Sequence, residues 1–215
     1  MLTGPDGRKD GRKIDYLKQP ERWQHFDPPV FDLLQRLVLT DDTRALTHFQ
    51  AADPIPGAVY FDSLVPDDKN ERAALMERAG HQLSSSELVF FDPDNGLEVP
   101  SIAKGKKNSS KYVYRDEILS TYASGHSVLL YQHFPYEERS SFTRRIGEAL
   151  LKLTGCRTCW AFTTPHVLFL LLIQEKHTEK LQGALEAMGA WPPGFMKLAS
   201  LHADELPQEA AELSN

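Results

Sequence analysis

The chain has 215 residues, 41% of them hydrophobic and 25% charged, the balance of a globular protein long enough to bury a substantial core. A formal net charge of −6 argues against broad, non-specific nucleic-acid binding, while leaving room for local basic clusters. No apolar run approaches the roughly 18 residues of a membrane span and no charged-then-apolar leader opens the chain, so a cytoplasmic location is the default expectation.

Residues 1–18 are polar, with Gly4-Pro-Asp-Gly7 and the close cations Arg8, Lys9, Arg12 and Lys13, the composition of an exposed and mobile segment. Asp27-Pro-Pro predicts a helix start: Asp27 caps, Pro28 suits the first turn, and Val30, Phe31, Leu33, Leu34, Leu37 and Val38 form an apolar face. The aromatic segment before it, Tyr16, Trp23, His25 and Phe26, reads as core packing. Arg44–Phe49 and, more convincingly, Ala58–Asp62 read as strands around the turn Asp53-Pro-Ile-Pro-Gly57. A helix over about Asp68–Leu83 follows and leads through Ser84-Ser-Ser86 to a further strand. The order strand, helix, strand predicts a parallel pair with a crossover.

The chain is organised around the next stretch, Glu87–Val99, ELVFFDPDNGLEV. Leu88–Phe91 reads as a short buried strand, being β-branched, aromatic and aliphatic without helical periodicity. It stops at Asp92-Pro-Asp-Asn-Gly96, where Pro93 removes a donor and Asn95-Gly96 supply left-handed turn geometry. Carboxylates presented at the C-terminal edge of a strand lie where open α/β sheets bind ligands. An Asx-rich turn that only closes the strand is the competing reading.

The connection Glu98–Lys111 carries Lys104, Lys106, Lys107 and Lys111 with Gly105 and two serines. It reads as a flexible lid or phosphate-contacting loop, or more simply as a solvated loop. A helix near Tyr114–Tyr122 ends at Gly125, and Ser127–His133 is a buried strand stopped by Phe134-Pro135. Gln132 and His133 share the edge of Asp92 if these two strands are parallel neighbours. A helix near Glu137–Leu153 precedes Cys159–Thr163 and His166–Ile173, an antiparallel pair joined at Thr164-Pro165. Cys156 and Cys159 form a single CxxC without the second pair that structural zinc needs, so both read as incidental thiols. Thr178–Met188 is a helix with Leu181, Leu185 and Met188 inward. The expected organisation is a polar segment 1–18, one α/β domain over 19–190, and an extension over 191–215 that includes Trp191-Pro-Pro-Gly194. The expected fold is three-layered α/β, with a mostly parallel Rossmann-like sheet and a C-terminal antiparallel hairpin.

This layout, with Leu88-Val-Phe-Phe-Asp-Pro-Asp-Asn95 at its centre, resembles the later half of class I S-adenosylmethionine-dependent methyltransferases, where a strand ends in D/N-P-P-Y/F. The resemblance spans roughly Ala58 to Met188 in layout and matches in motif at Asp92 and Pro93. It implies a methyltransferase-like architecture, S-adenosylmethionine as cofactor, and a nucleic acid or nucleotide as substrate. Asp94 and Asn95 stand where the family has its second proline and stacking ring. The glycine-rich cofactor turn has no counterpart after a first strand; Thr3-Gly-Pro-Asp-Gly7 has no strand ahead of it, so that turn either lies upstream of Met1 or is lacking. The pattern of Asp15-Tyr-Leu17, DPDNGLE, Ser110-Lys-Tyr-Val-Tyr114 and Tyr131-Gln-His-Phe-Pro135 also resembles a bacterial protein family of unassigned activity.

Under the methyltransferase resemblance, Asp92 accepts hydrogen bonds from an exocyclic amine, the Pro93 carbonyl shares the load, and Asn95 orients the same group. Holding nucleophile and donor in line is most of what such an enzyme contributes. A rival reading is a metal-dependent phosphoesterase or nuclease: Asp62, Asp92, Asp94 and Glu98 are hard oxygen ligands suited to Mg²⁺ or Mn²⁺. There Lys111 or the Lys104–Lys107 cluster neutralises a phosphate and His133 moves a proton. A third reading is a non-catalytic binding module on the same scaffold. Across the readings, Asp92, Asp94, Asn95 and His133 are the candidate catalytic residues, and Lys104, Lys107, Lys111 and Gln132 the candidate substrate contacts. Plain structural roles compete throughout, with His133 bonded to a loop carbonyl and Asp62 buried or capping.

Overall fold

The computed structural model of the chain describes residues 14–43, 45–189 and 195–206, which divide between Asp62 and Ser63 into two units. In the first unit, α1 (Pro20–Trp23) precedes α2 (Pro28–Gln35). The Asp27 carboxylate caps α2 by accepting the Val30 N–H at 3.1 Å, as the Asp-Pro-Pro signal requires. The helix continues into a wider turn over Arg36–Thr40 and buries Phe31, Leu33 and Leu37.

Two expected strands of this unit are absent. Leu46–Ala51 is helix α3, within the stretch expected as a strand over Arg44–Phe49; Arg44 itself lies outside the described residues. Ala58–Asp62 has no regular structure after a turn closed by the Ala58 N–H on the Ile55 carbonyl at 3.0 Å. A helix satisfies its backbone from within, whereas a strand forms only where a neighbour supplies the ladder. The crossover expected between Ala58–Asp62 and Leu88–Phe91 therefore does not exist.

The second unit begins with α4 (Lys69–Gln82), capped by Asp68, whose carboxylate accepts the Asn70 and Glu71 N–H groups at 2.8 and 2.9 Å. Then come β1 (Leu88–Phe91), β2 (Gly96–Leu97), β3 (Tyr112–Val113), α5 (Arg115–Ala123), β4 (Ser127–His133) and α6 (Arg139–Thr154). They are followed by β5 (Thr158–Thr163), β6 (Val167–Leu172), α7 (Thr178–Gly189) and β7 (Lys197–His202). The five-stranded sheet runs β1-β4-β6-β5-β7, and β2 pairs with β3 in a separate parallel ribbon.

This order overturns the mostly parallel, Rossmann-like and methyltransferase-like expectation. Only β1 and β4 are parallel in the main sheet, with α5 in their crossover; β4–β6, β6–β5 and β5–β7 are all antiparallel. The hairpin at Thr164-Pro165 is the reason. It folds β6 back into the place beside β4 that a parallel β5 would have taken, and β7 then closes on the far side of β5.

Burial along β1 alternates, with Leu88 and Phe90 exposed and Val89 and Phe91 buried. It is an edge strand with one open face rather than the buried central strand its composition suggests. Val89, Phe91, Val128, Leu130, Leu168 and Leu170 pack with Ile118 of α5 and Phe142, Ile146 and Leu150 of α6. On the opposite face Phe162, Leu171 and Ile173 pack with Leu185 of α7, joined by Leu181 and Met188 as the helical spacing predicts. No helix among the described residues is long and apolar enough to cross a membrane. The Gly4-Pro-Asp-Gly7 segment and Trp191-Pro-Pro-Gly194 lie outside the described residues.

Candidate functional site

β1 stops just before Asp92 because the chain must turn there, and the turn is stapled from two sides. Gly96 has a φ of +95°, and a Cβ at that position would sit 2.5 Å from the Gln132 amide group. That amide fills the space: its Oε1 accepts the Leu97 N–H at 2.8 Å and its Nε2 donates to the His133 carbonyl at 2.8 Å. Gln132 is buried and holds the turn against β4 as a latch. On the other side the Asn95 N–H donates to the Lys111 carbonyl at 2.9 Å, and Lys111 Nζ lies 3.5 Å from Asp94 Oδ2. Asp94, Asn95 and Lys111 are thus brought together.

β1 and β4 are parallel neighbours, with Phe91 in register with Leu130, so Asp92 and His133 come to one edge. The period of two then puts Phe90 and Asp92 on the same face as Tyr131 and His133 of β4 and Phe169 of β6. Phe90 is 49% exposed. Its ring centroid lies 6.3 Å from that of Phe169, which lies 5.4 Å from Tyr131, which meets the His133 imidazole edge-on at 5.0 Å. The Tyr131 hydroxyl is 3.4 Å from His133 Nε2.

The electrostatics follow from this grouping. Burial pushes the Asp92 carboxyl above its ordinary range and the Asp94 carboxylate adds to the rise, while His133 opposes it. Tyr131 is raised too, by burial first and then by the negative charge of Asp92. Asp92 thus stands at the end of a row of aromatic rings, of which Phe90 is the exposed one. Phe90, Tyr131 and Phe169 are absent from the residues singled out by sequence. Their signal is the shared parity of Phe90 with Asp92 and of Tyr131 with His133, which is informative once β1 is known to be half open.

The lysine-rich connection is not a loose lid. Asp67 accepts the Asn108 N–H at 2.8 Å and the Ser110 N–H at 2.7 Å. Burial works against its charge, but these bonds and the serine hydroxyls prevail and hold its pKa below the ordinary value. From within, the Arg72 guanidinium donates to the Ser109 carbonyl at 3.0 Å. Lys104 Nζ is spent on Asp116 at 2.7 Å and Glu117 at 3.2 Å, on the ring face of Tyr114. Lys107 is exposed in the turn before Asn108.

Glu98 Oε1 accepts the Arg115 N–H at 3.0 Å and faces its guanidinium at 3.3 Å. Asp62 belongs to the first unit, whereas Asp92, Asp94 and Glu98 belong to the second. Among the described residues no group of three or more His, Cys, Asp or Glu side chains is placed to hold a metal ion. Cys156 and Cys159 are buried free thiols.

Comparison with families of known proteins, with curated proteins and with solved structures gives no match for this chain.

Proposed function

We propose that the chain is a binding module for a nucleobase-like ligand, a planar ring bearing an exocyclic amine, taken up as a nucleoside or nucleotide rather than as a long polymer. The observation that carries this reading is the row Phe90, Tyr131 and Phe169 on the same sheet face as Asp92 and His133. Phe90 is the exposed ring of this row, backed by the half-buried Tyr131 and Phe169, and an exposed ring on a sheet offers a stacking surface that every base can use. A carboxylate at the end of that row accepts from an amino group, the pairing that distinguishes cytosine or adenine from uracil. The net charge of −6 disfavours a polyanion, which supports a small ligand.

The test is calorimetric titration with cytidine, adenosine and uridine. The amine-bearing nucleosides are expected to bind and uridine to bind at least tenfold more weakly. Phe90→Ala should weaken binding through lost stacking, on the order of 1–3 kcal/mol per base. Asp92→Asn should erase the preference over uridine while leaving residual stacking. Absence of saturable binding by any of the three nucleosides to the wild-type chain would overturn the reading.

A further inference from the structure

We propose that the groove between α4 and α5 is a second binding site, one for a neutral, largely apolar small molecule. Its cavity of about 550 Å³ falls within the range usual for ligand pockets. Val89 and Phe91 form the floor, the two β1 side chains that point away from the aromatic row, and Met76 of α4 and Leu83 just after its end continue it. Ala73 and Gly80 stand on the same wall, and their small size leaves it open: a Cβ on Gly80 meets no atom within 4 Å.

Two observations select the ligand class. First, four of the hydrogen-bonding side chains that line it, Lys104, Thr121, Ser124 and His126, are already engaged within the protein. Lys104 is held by Asp116 and Glu117, the Thr121 hydroxyl donates to the Glu117 carbonyl at 2.8 Å, and the Ser124 hydroxyl donates to the Ser120 carbonyl at 2.8 Å. His126 Nδ1 donates to the Ser86 carbonyl at 2.6 Å. A ligand that demanded these groups would have to break bonds within the protein, whereas one that only buries apolar area would not. Second, the lining mixes both signs, Lys69 and Lys104 against Glu77, Asp116 and Glu117, with Lys104 paired to Asp116 and Glu117, so it does not present a field of one sign to a charged ligand. The Arg72–Glu117 pair also ties the two walls together, so the site is formed before a ligand arrives.

The experiment is a fluorescence titration with the neutral probe N-phenyl-1-naphthylamine. It compares the wild-type chain, Gly80→Leu and Ala73→Leu in the groove, and Gly183→Leu on α7 as a control. Melting curves confirm that each variant folds. Saturable one-to-one binding is expected for wild type and Gly183→Leu, weakened at least tenfold in both groove variants. Non-saturating binding by the wild type, or equal affinity in folded Gly80→Leu and Ala73→Leu, would overturn the proposal. So would a concentration-dependent dimer in sedimentation that Gly80→Leu abolishes, because the groove would then hold a second copy of the chain.

Discussion

Arg72 and Glu117 meet as a two-pronged ion pair sealed from solvent: Nε reaches Oε1 at 2.6 Å and Nη2 reaches Oε2 at 2.9 Å. The same guanidinium donates to the Ser109 and Tyr112 carbonyls at 3.0 and 2.7 Å, and Glu117 Oε2 accepts the Tyr114 N–H at 3.0 Å. One pair thereby joins α4, the lysine-rich connection and the first turn of α5. Removing one partner leaves the other charge buried and unpaired, which typically costs about 3–5 kcal/mol. Glu117→Ala should therefore lose that much stability in urea unfolding, and far more than Lys104→Ala. A loss under about 1 kcal/mol would show that the pair does not organise this region.

The Gly96–Gln132 contact leads to a second expectation. Any side chain at position 96 meets both a φ of +95° and the Gln132 amide. Gly96→Ala should cost about 1–3 kcal/mol, the usual scale of such backbone strain. A melting temperature equal to that of the wild type would refute the latch.

His177 sets an acid limb on stability. Ser127 Oγ accepts the Gln174 N–H at 3.0 Å and lies within hydrogen-bonding distance of His177 Nδ1, 3.0 Å away. Burial lowers the His177 pKa, Lys176 and Lys180 lower it further, and Glu87 opposes them. Because the folded pKa lies below the ordinary value of 6.5, this contribution is fully present above that pH and is lost as pH falls through the folded pKa. Urea midpoints measured from pH 8 down to pH 5 should decline more steeply for wild type than for His177→Gln. Parallel declines would remove His177 from the account.

Asp92 has the opposite sign. Its folded pKa is raised above 3.8, so its contribution is fully present below that pH and is lost as pH rises through the folded pKa. Near neutral pH the ionised carboxylate is a cost to the fold. Asp92→Asn should then melt above the wild type at neutral pH, with the gap closing in acid. A variant that melts lower at neutral pH would indicate a structural bond worth more than that burial cost.

Burial also lifts the Cys159 thiol well above its ordinary pKa, and Cys156 Sγ donates to the Thr158 carbonyl at 3.1 Å. A thiol reagent such as dithionitrobenzoate should modify neither cysteine in the native chain and both in urea. Rapid labelling under native conditions would contradict their burial.

Much of the local structure was legible in the sequence because it is decided within a dozen residues. Asp27 and Asp68 cap their helices, Ser127–His133 is a strand, and Thr164-Pro165 turns a hairpin, each through contacts between near neighbours. The stop at Asp92-Pro-Asp-Asn-Gly96 belongs with them, since proline and glycine act on the backbone directly. Strand pairing is different, because each strand carries the same donors and acceptors on both sides. Only the assembled sheet decides that β6 sits between β4 and β5, that β7 closes the far edge, and that Ala58–Asp62 is left without a ladder. The company of Asp92 was decided in the same way, for Phe169 reaches its face only because β6 runs beside β4. Whether a lysine waits for a phosphate or is already paired depends on where distant backbones bring a carboxylate, which is why Lys104 counted as a ligand contact in sequence and is an internal tie in the fold.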